Sequence, residues 1–159
     1  EKLKADMGEG GAFDVVGFYE DAYKDTVDRL TADGVIKFHG FQTDVYPFYE
    51  AADCVVLPSY HEGMSNVLQE AAATARPVIA SDINGCREIF ENGVSGLAFL
   101  PQNADSLTET IERFLLLAPE ERAEMGRQAR AYVEAHFDRR QVVTAYLETL
   151  GSLIGATRC

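Results

Sequence analysis

Short apolar runs alternate along this chain with longer segments whose apolar residues return at helical spacing. The runs Ala12 to Gly17, Val35 to His39, Cys54 to Leu57, Val78 to Ser81 and Gly96 to Leu100 are brief, mostly β-branched or aromatic, and bounded by Gly, Pro or Asp. That pattern predicts strands. Ala22 to Ala32 places Tyr23, Val27 and Leu30 at helical spacing, with Gly34 to end the helix. Val45 to Ala52 predicts a short aromatic helix with Asp44 as its cap. Another helix begins near Ser65 and holds Glu70, and a short one is expected around Arg87 to Phe90, before a turn at Asn92-Gly93. Beyond Leu100 the spacing is helical: Asp105 to Leu117, Pro119 to His136, and Arg139 to Ile154. Pro119 suits a first helical position, and Glu120 and Glu121 complement the dipole there.

Alternation of strand and helix implies a parallel sheet with right-handed crossovers. The expected fold is α/β: one Rossmann-like domain over residues 1–159, its sheet flanked by helices, with a C-terminal helical segment. Residues 1–6 read as the last turns of a helix, so the domain is expected to be truncated at its N-terminus.

Composition narrows the function classes. A hydrophobic share of 47% in 159 residues supplies a core, which excludes disorder as a description of the whole chain. The formal charge of −12, from 26 acidic residues against 14 Lys plus Arg, opposes nucleic acid and anionic lipid as partners. No apolar run approaches the roughly 18 residues of a membrane span, and the opening EKLKADMGEGG lacks a signal-peptide core. Cys54, Cys86 and Cys159 have no metal-ligand spacing. Reduced thiols and a cytoplasmic location are therefore expected, extending to the inner face of the membrane for a full-length protein.

Candidate chemistry concentrates in Pro58 to Ser81, a loop, helix and strand that follow the Cys54 run. Ligands of parallel sheets gather where strand ends meet helix starts. Ser65 or Asn66 can cap the helix and leave the following N–H groups unpaired. Such an end binds anions, phosphate above all. Glu70 falls on the same side as Asn66, one turn in, and Glu62 stands in the loop above. A carboxylate can accept both hydroxyls of a vicinal diol, so phosphate donors and diol acceptors in one segment suit a sugar nucleotide. Acids at this spacing also arise as solvated surface in any acidic chain, and the spacing alone leaves both readings open. A retaining glycosidase would need its paired carboxyls about 5 Å apart across a cleft, which acids beside a phosphate-type helix end do not suit.

The stretch Asp53 to Gly96 sets Glu62-Gly63, Glu70, Pro77-Val78-Ile79, Gly85, Glu88, Gly93 and Gly96 at spacings that resemble one family signature. It is that of retaining, GT-B-fold glycosyltransferases with an E-x7-E motif in their C-terminal, donor-binding domain; Glu62 and Glu70 occupy the two acids. Val35 to Phe41 resembles the family's V-x-F-x-G strand and turn, and Met125-Gly126 and Phe137-Asp138 match downstream. Gly85-Cys86-Arg87-Glu88 and Tyr46-Pro47-Phe48-Tyr49 are most similar to bacterial surface-polysaccharide enzymes.

The resemblance implies the second half of a GT-B fold, binding a nucleotide-diphosphate sugar, with a UDP-sugar expected. The full-length enzyme would transfer that sugar with retention onto a saccharide or lipid-linked acceptor in polysaccharide or glycoconjugate biosynthesis. By position, Glu62 would be the catalytic-site acid that holds hydroxyls of the donor sugar, with Gly63, Met64 and Ser65 beside the same sugar. The amides of Asn66 and Val67 would bind the diphosphate, Glu70 would grip the ribose, and His39, Gly40, Phe41 and Gln42 would lie where the base rests. Fixed amide dipoles would stabilise the departing diphosphate. No protein nucleophile and no cofactor are assigned, and no D-x-D pair of the metal-dependent type occurs, so no metal is expected.

Some positions depart from the family pattern. Its leading strand and helix, which bear an Arg and a Lys, would precede Glu1, and the acceptor-binding N-terminal domain is expected to be absent. Arg76 and Arg87 do not occupy the basic motif positions, Ala75 stands where Gly is frequent, and Asn84 replaces the first of a Gly pair. The isolated chain is therefore expected to be inactive in transfer. A catalytically silent nucleotide-binding or interaction module on the same fold is the alternative function. Other candidates have plainer readings. His39 and His61 are packed or solvated, His136 complements a helix dipole, and Tyr46, Phe48 and Tyr49 face the core. Phe114 to Leu117 is buried helix, Gly85 and Gly93 serve turns, and Cys86 is a structural thiol.

Overall fold

Two parallel ladders carry the architecture. In the computed structural model, which describes Leu3 and residues 11–156, β1 (Phe13–Val16) pairs with β2 (Ile36–Gly40). A second sheet has the order β3 (Val55–Leu57), β4 (Val78–Ser81), β5 (Gly96–Phe99). Every pairing is parallel, but the strands form two sheets rather than one. In a doubly wound sheet of order 3-2-1-4-5-6 the chain switches direction beside its first strand. Here the β1–β2 pair and the β3–β4–β5 sheet share no ladder among the described residues. The helical turns expected at residues 1–6 lie, Leu3 apart, outside the described residues.

The helices are α1 (Lys24–Ala32), α2 (Tyr46–Ala51), α3 (Asn66–Ala73), α4 (Ala104–Leu116), α5 (Pro119–His136) and α6 (Arg139–Ala156). Asp44 does not cap α2: Val45 holds the cap position, and the Asp44 carboxylate accepts the Tyr46 amide at 3.1 Å. Residues 87–90 form turns rather than the expected helix. Gly85 at φ +84 breaks the helical path just before them, and the Glu88 carboxylate takes the Gly85 amide at 2.8 Å. Pro119 opens α5 as expected, and the Glu121 carboxylate accepts the Ala118 amide at 2.7 Å.

β4 is buried along its whole length, as a strand covered on both faces must be. Its alternate residues feed two cores. Val78 and Ala80 pack with Leu68, Ala71 and Ala72 of α3 and with Ala129 and Val133 of α5. Ile79 packs with Leu97 and Phe99 of β5, Ile111 and Phe114 of α4, and Met125 of α5. Each fully buried Val, Leu, Ile or Phe among them contributes about 1.5–3 kcal/mol, and each alanine methyl less. Against α5 the chain leaving α3 comes very close: a Cβ on Gly126 would lie 2.2 Å from the Ala75 carbonyl oxygen. Ala75 itself sits at φ 57, a left-handed conformation that glycine adopts without strain. α6 differs from the other helices, exposing Val142, Val143, Tyr146, Leu147, Leu150, Leu153 and Ile154, each by more than half. Among the described residues no helix is long and apolar enough to cross a membrane.

Candidate functional site

The carboxyl ends of β3 and β4 point the same way, so the loop 58–65 and the loop 82–95 emerge at one end of the sheet. Ligands of parallel sheets bind at this end. The two loops are fastened together. The Ser65 amide donates to the Gly85 carbonyl at 2.9 Å. The backbone at 85 runs so near that a Cβ there would lie 2.6 Å from the Gly63 carbonyl oxygen and 2.7 Å from that of Glu62. Only glycine satisfies both that approach and the φ of +84.

α3 starts from this fastened loop. Ser65 is its N-cap, with φ −70 and ψ 109, and its Oγ accepts the Leu68 amide at 3.3 Å. Asn66 is therefore the first helical residue rather than the cap. The amides of Met64, Asn66 and Val67 have no acceptor among the described residues, and all three residues are exposed. Unpaired N–H groups at the positive end of a helix attract anions. Ser65 behaves differently from its neighbours: Gly85 already holds its amide, so Ser65 shapes this end without presenting an N–H there.

The two acids are each restrained by one hydroxyl. Glu62 is half-buried and its Oε1 accepts from Ser59 Oγ at 2.7 Å. Glu70 is exposed, one turn into α3, and its Oε2 accepts from the Tyr49 hydroxyl at 3.1 Å. Tyr49 is only 8% exposed. Burial, then the Glu70 charge, push the phenol up to about 12, so it remains a donor. Burial, then the charges of Glu62 and Glu88, push the Cys86 thiol up to about 11, which keeps it an unreactive thiol near neutral pH. Cys54 is likewise raised, to about 12, chiefly by burial.

The turn at 39–42 follows β2. Gly40 has φ +65, Gln42 donates from Nε2 to the His39 carbonyl at 2.7 Å, and His39 Nε2 lies 2.6 Å from Asp14 Oδ1. The His39 ring meets Phe48 edge-on at 4.9 Å. Phe41 is exposed and stacks on Phe18 at 4.9 Å with an interplanar angle of 8°. Sequence reasoning passed over Phe18, whose one signal is an aromatic directly after the strand-ending Gly17. It also left Tyr49 in the core stripe, although a buried tyrosine needs a partner for its hydroxyl. Arg76 donates to the Glu50 carbonyl at 2.8 Å, and Arg87 pairs with Asp82 at 3.3 Å.

A family profile described as glycosyl transferases group 1 matches residues 1–132. The chain belongs to this family. The group 1 chain is 28% identical over 133 residues to the lipopolysaccharide core biosynthesis glycosyltransferase LpsE of Rhizobium meliloti, which covers 81% of the chain and 39% of that protein. Over 122 residues it is 30% identical to the N,N'-diacetylbacillosaminyl-diphospho-undecaprenol alpha-1,3-N-acetylgalactosaminyltransferase of Campylobacter jejuni, covering 76% of the chain and 32% of that protein. Among solved structures, Alr3699/HepE of Anabaena in complex with UDP-glucose superposes with a TM-score of 0.77 at 28% identity, covering 89% of the chain and 41% of that structure. The fold is that of GT-B glycosyltransferases, and the chain spans about two-fifths or less of the length of these relatives.

Proposed function

We propose that this chain is the donor-binding part of a group 1 glycosyltransferase and binds a nucleotide-diphosphate sugar, in the first place a UDP-sugar. The observation that carries the reading is the set of exposed, unpaired amides of Met64, Asn66 and Val67 at the start of α3, flanked by Glu62 and Glu70. The diphosphate sits against the Asn66 and Val67 amides, where the helix dipole favours its charge. Glu62, Gly63 and Met64 face the donor sugar, Ser65 holds their loop in place, Glu70 takes the ribose hydroxyls, and the turn 39–42 receives the base. The complex of HepE with UDP-glucose supports uridine as the base.

Transfer breaks the bond between the anomeric carbon and the diphosphate, and negative charge grows on the departing group. Fixed amide dipoles stabilise that charge without a metal and without a protein nucleophile. In the complete protein the sugar passes, with retention, to a saccharide or lipid-linked acceptor held by a domain beyond this chain. The reaction serves polysaccharide or glycoconjugate synthesis in the cytoplasm. The lipid-linked substrate in the name of the Campylobacter relative supports that acceptor class.

Calorimetric titration of uridine diphosphate into the chain and into Glu70→Ala tests the site. Binding by the unmodified chain and a variant about ten- to a hundredfold weaker are expected, since hydrogen bonds to a charged group carry about 1.5–3 kcal/mol. Equal affinities would remove the ribose role of Glu70, and no binding by the unmodified chain would overturn the whole reading.

A further inference from the structure

We infer that Tyr49 is a positioning residue that fixes the Glu70 carboxylate and so sets the ribose selectivity of the site, an inference that rests on the ribose role given to Glu70 above. Glu70 stands exposed on α3 with a long side chain of several rotors. Ordering such a side chain at the moment of binding costs about 1–2 kcal/mol of rotamer entropy. A group already held in its bound geometry avoids that cost.

Tyr49 is built to hold it. The ring lies in the same core as Leu68, Ala71 and Ala72 of α3, the helix that bears Glu70, and its hydroxyl reaches Glu70 Oε2 at 3.1 Å. The phenol donates to one carboxylate oxygen, which leaves Oε1 to accept from a diol. The raised phenol pKa, about 12, keeps the donor proton in place throughout the physiological range.

The same short helix reaches the other end of the nucleoside site. Phe48, beside Tyr49 on α2, packs edge-on against His39 at 4.9 Å, and Gln42 of that turn caps the His39 carbonyl at 2.7 Å. α2 therefore joins the turn assigned to the base and the acid assigned to the ribose.

The test compares uridine diphosphate with 2′,3′-dideoxyuridine diphosphate on the 159-residue chain, on Tyr49→Phe and on Glu70→Ala. Tyr49→Phe removes the hydroxyl and keeps the packed ring, and its urea midpoint reports that the fold is retained. The preference of the chain for the ribose nucleotide should fall about three- to tenfold in Tyr49→Phe, the range of one hydrogen bond, while affinity for the dideoxy nucleotide stays within about twofold. Equal weakening toward both nucleotides would mark Tyr49 as merely structural and overturn the inference, as would an unchanged preference. In Glu70→Ala the preference should vanish. If it persists there, the ribose role of Glu70 has failed and the inference fails with it; if it vanishes there but survives intact in Tyr49→Phe, the inference alone fails.

Discussion

The Gly85 carbonyl accepts the Ser65 amide at 2.9 Å, and that one bond joins the turn after β4 to the amino end of α3. Two segments far apart in sequence are thereby held as a single rim. The contact exists because residue 85 has no side chain, which lets the two backbones meet.

Gly85→Ala should disrupt this rim. The new methyl would strike the Gly63 and Glu62 carbonyl oxygens and force a residue with a Cβ into φ +84. A loss of about 1–3 kcal/mol is expected from overpacking alone, read as a lower urea midpoint. Affinity for uridine diphosphate should fall together with stability. A variant of native stability would show that the loops can part freely.

Ser65→Ala should cost about 1 kcal/mol, because it removes the side-chain cap that holds the Leu68 amide. Ser65→Asp, another good cap, should recover part of that loss in urea denaturation. Failure of Asp to recover any stability would indicate that the buried position rejects its charge.

The pair Ala75 and Gly126 should respond in opposite directions. Gly126→Ala sets a methyl 2.2 Å from the Ala75 carbonyl oxygen and should destabilise by about 1–3 kcal/mol. Ala75→Gly relieves a left-handed alanine at φ 57 and should stabilise by roughly 0.5–1 kcal/mol after the entropy of glycine is subtracted. Thermal unfolding of the two variants checks both signs.

Alkaline pH should weaken the fold. The Tyr49 phenol is raised from 10.0 to about 12, first by burial and then by the Glu70 charge. An unfolded chain releases this proton near pH 10, while the folded chain keeps it to about 12, so the stabilisation is complete below pH 10 and is lost as pH climbs through 12. Cys86 and Cys54, raised from 9.0 to about 11 and about 12, shift in the same sense and start the decline near pH 9. Urea midpoints measured from pH 8 to 12 should fall across this window, and Tyr49→Phe should fall less steeply.

Much of this molecule was legible from residue order. Apolar runs gave the strands, and Pro119 and Gly34 marked a helix start and a helix end at the right places, because those signals are local. Ala75 stood out in the sequence only as a departure from a frequent Gly, and its left-handed backbone became visible only in the structure. Local signals failed where a distant partner decided the outcome. Residues 87–90 look helical, yet Glu88 folds back on the Gly85 amide and the chain stays in turns. The engagement of the Ser65 amide, the Phe18–Phe41 stack and the Tyr49–Glu70 bond all cross between segments well separated in sequence. Helical spacing placed Tyr46, Phe48 and Tyr49 in the core; it was right about the Tyr49 ring but not about Tyr46, which is exposed, and it carries no information on where the Tyr49 hydroxyl ends.

α6 lays a broad greasy flank open to water, and the net charge of −12 gives two copies of the chain a repulsion that opposes their meeting there. That repulsion acts over a Debye length, about 10 Å at 0.1 M salt and about 3 Å at 1 M. Concentrated salt, or acid that neutralises the carboxylates, weakens that repulsion while leaving the flank exposed, so self-association through α6 is expected to increase with salt, which sedimentation at 0.1 M and 1 M would read.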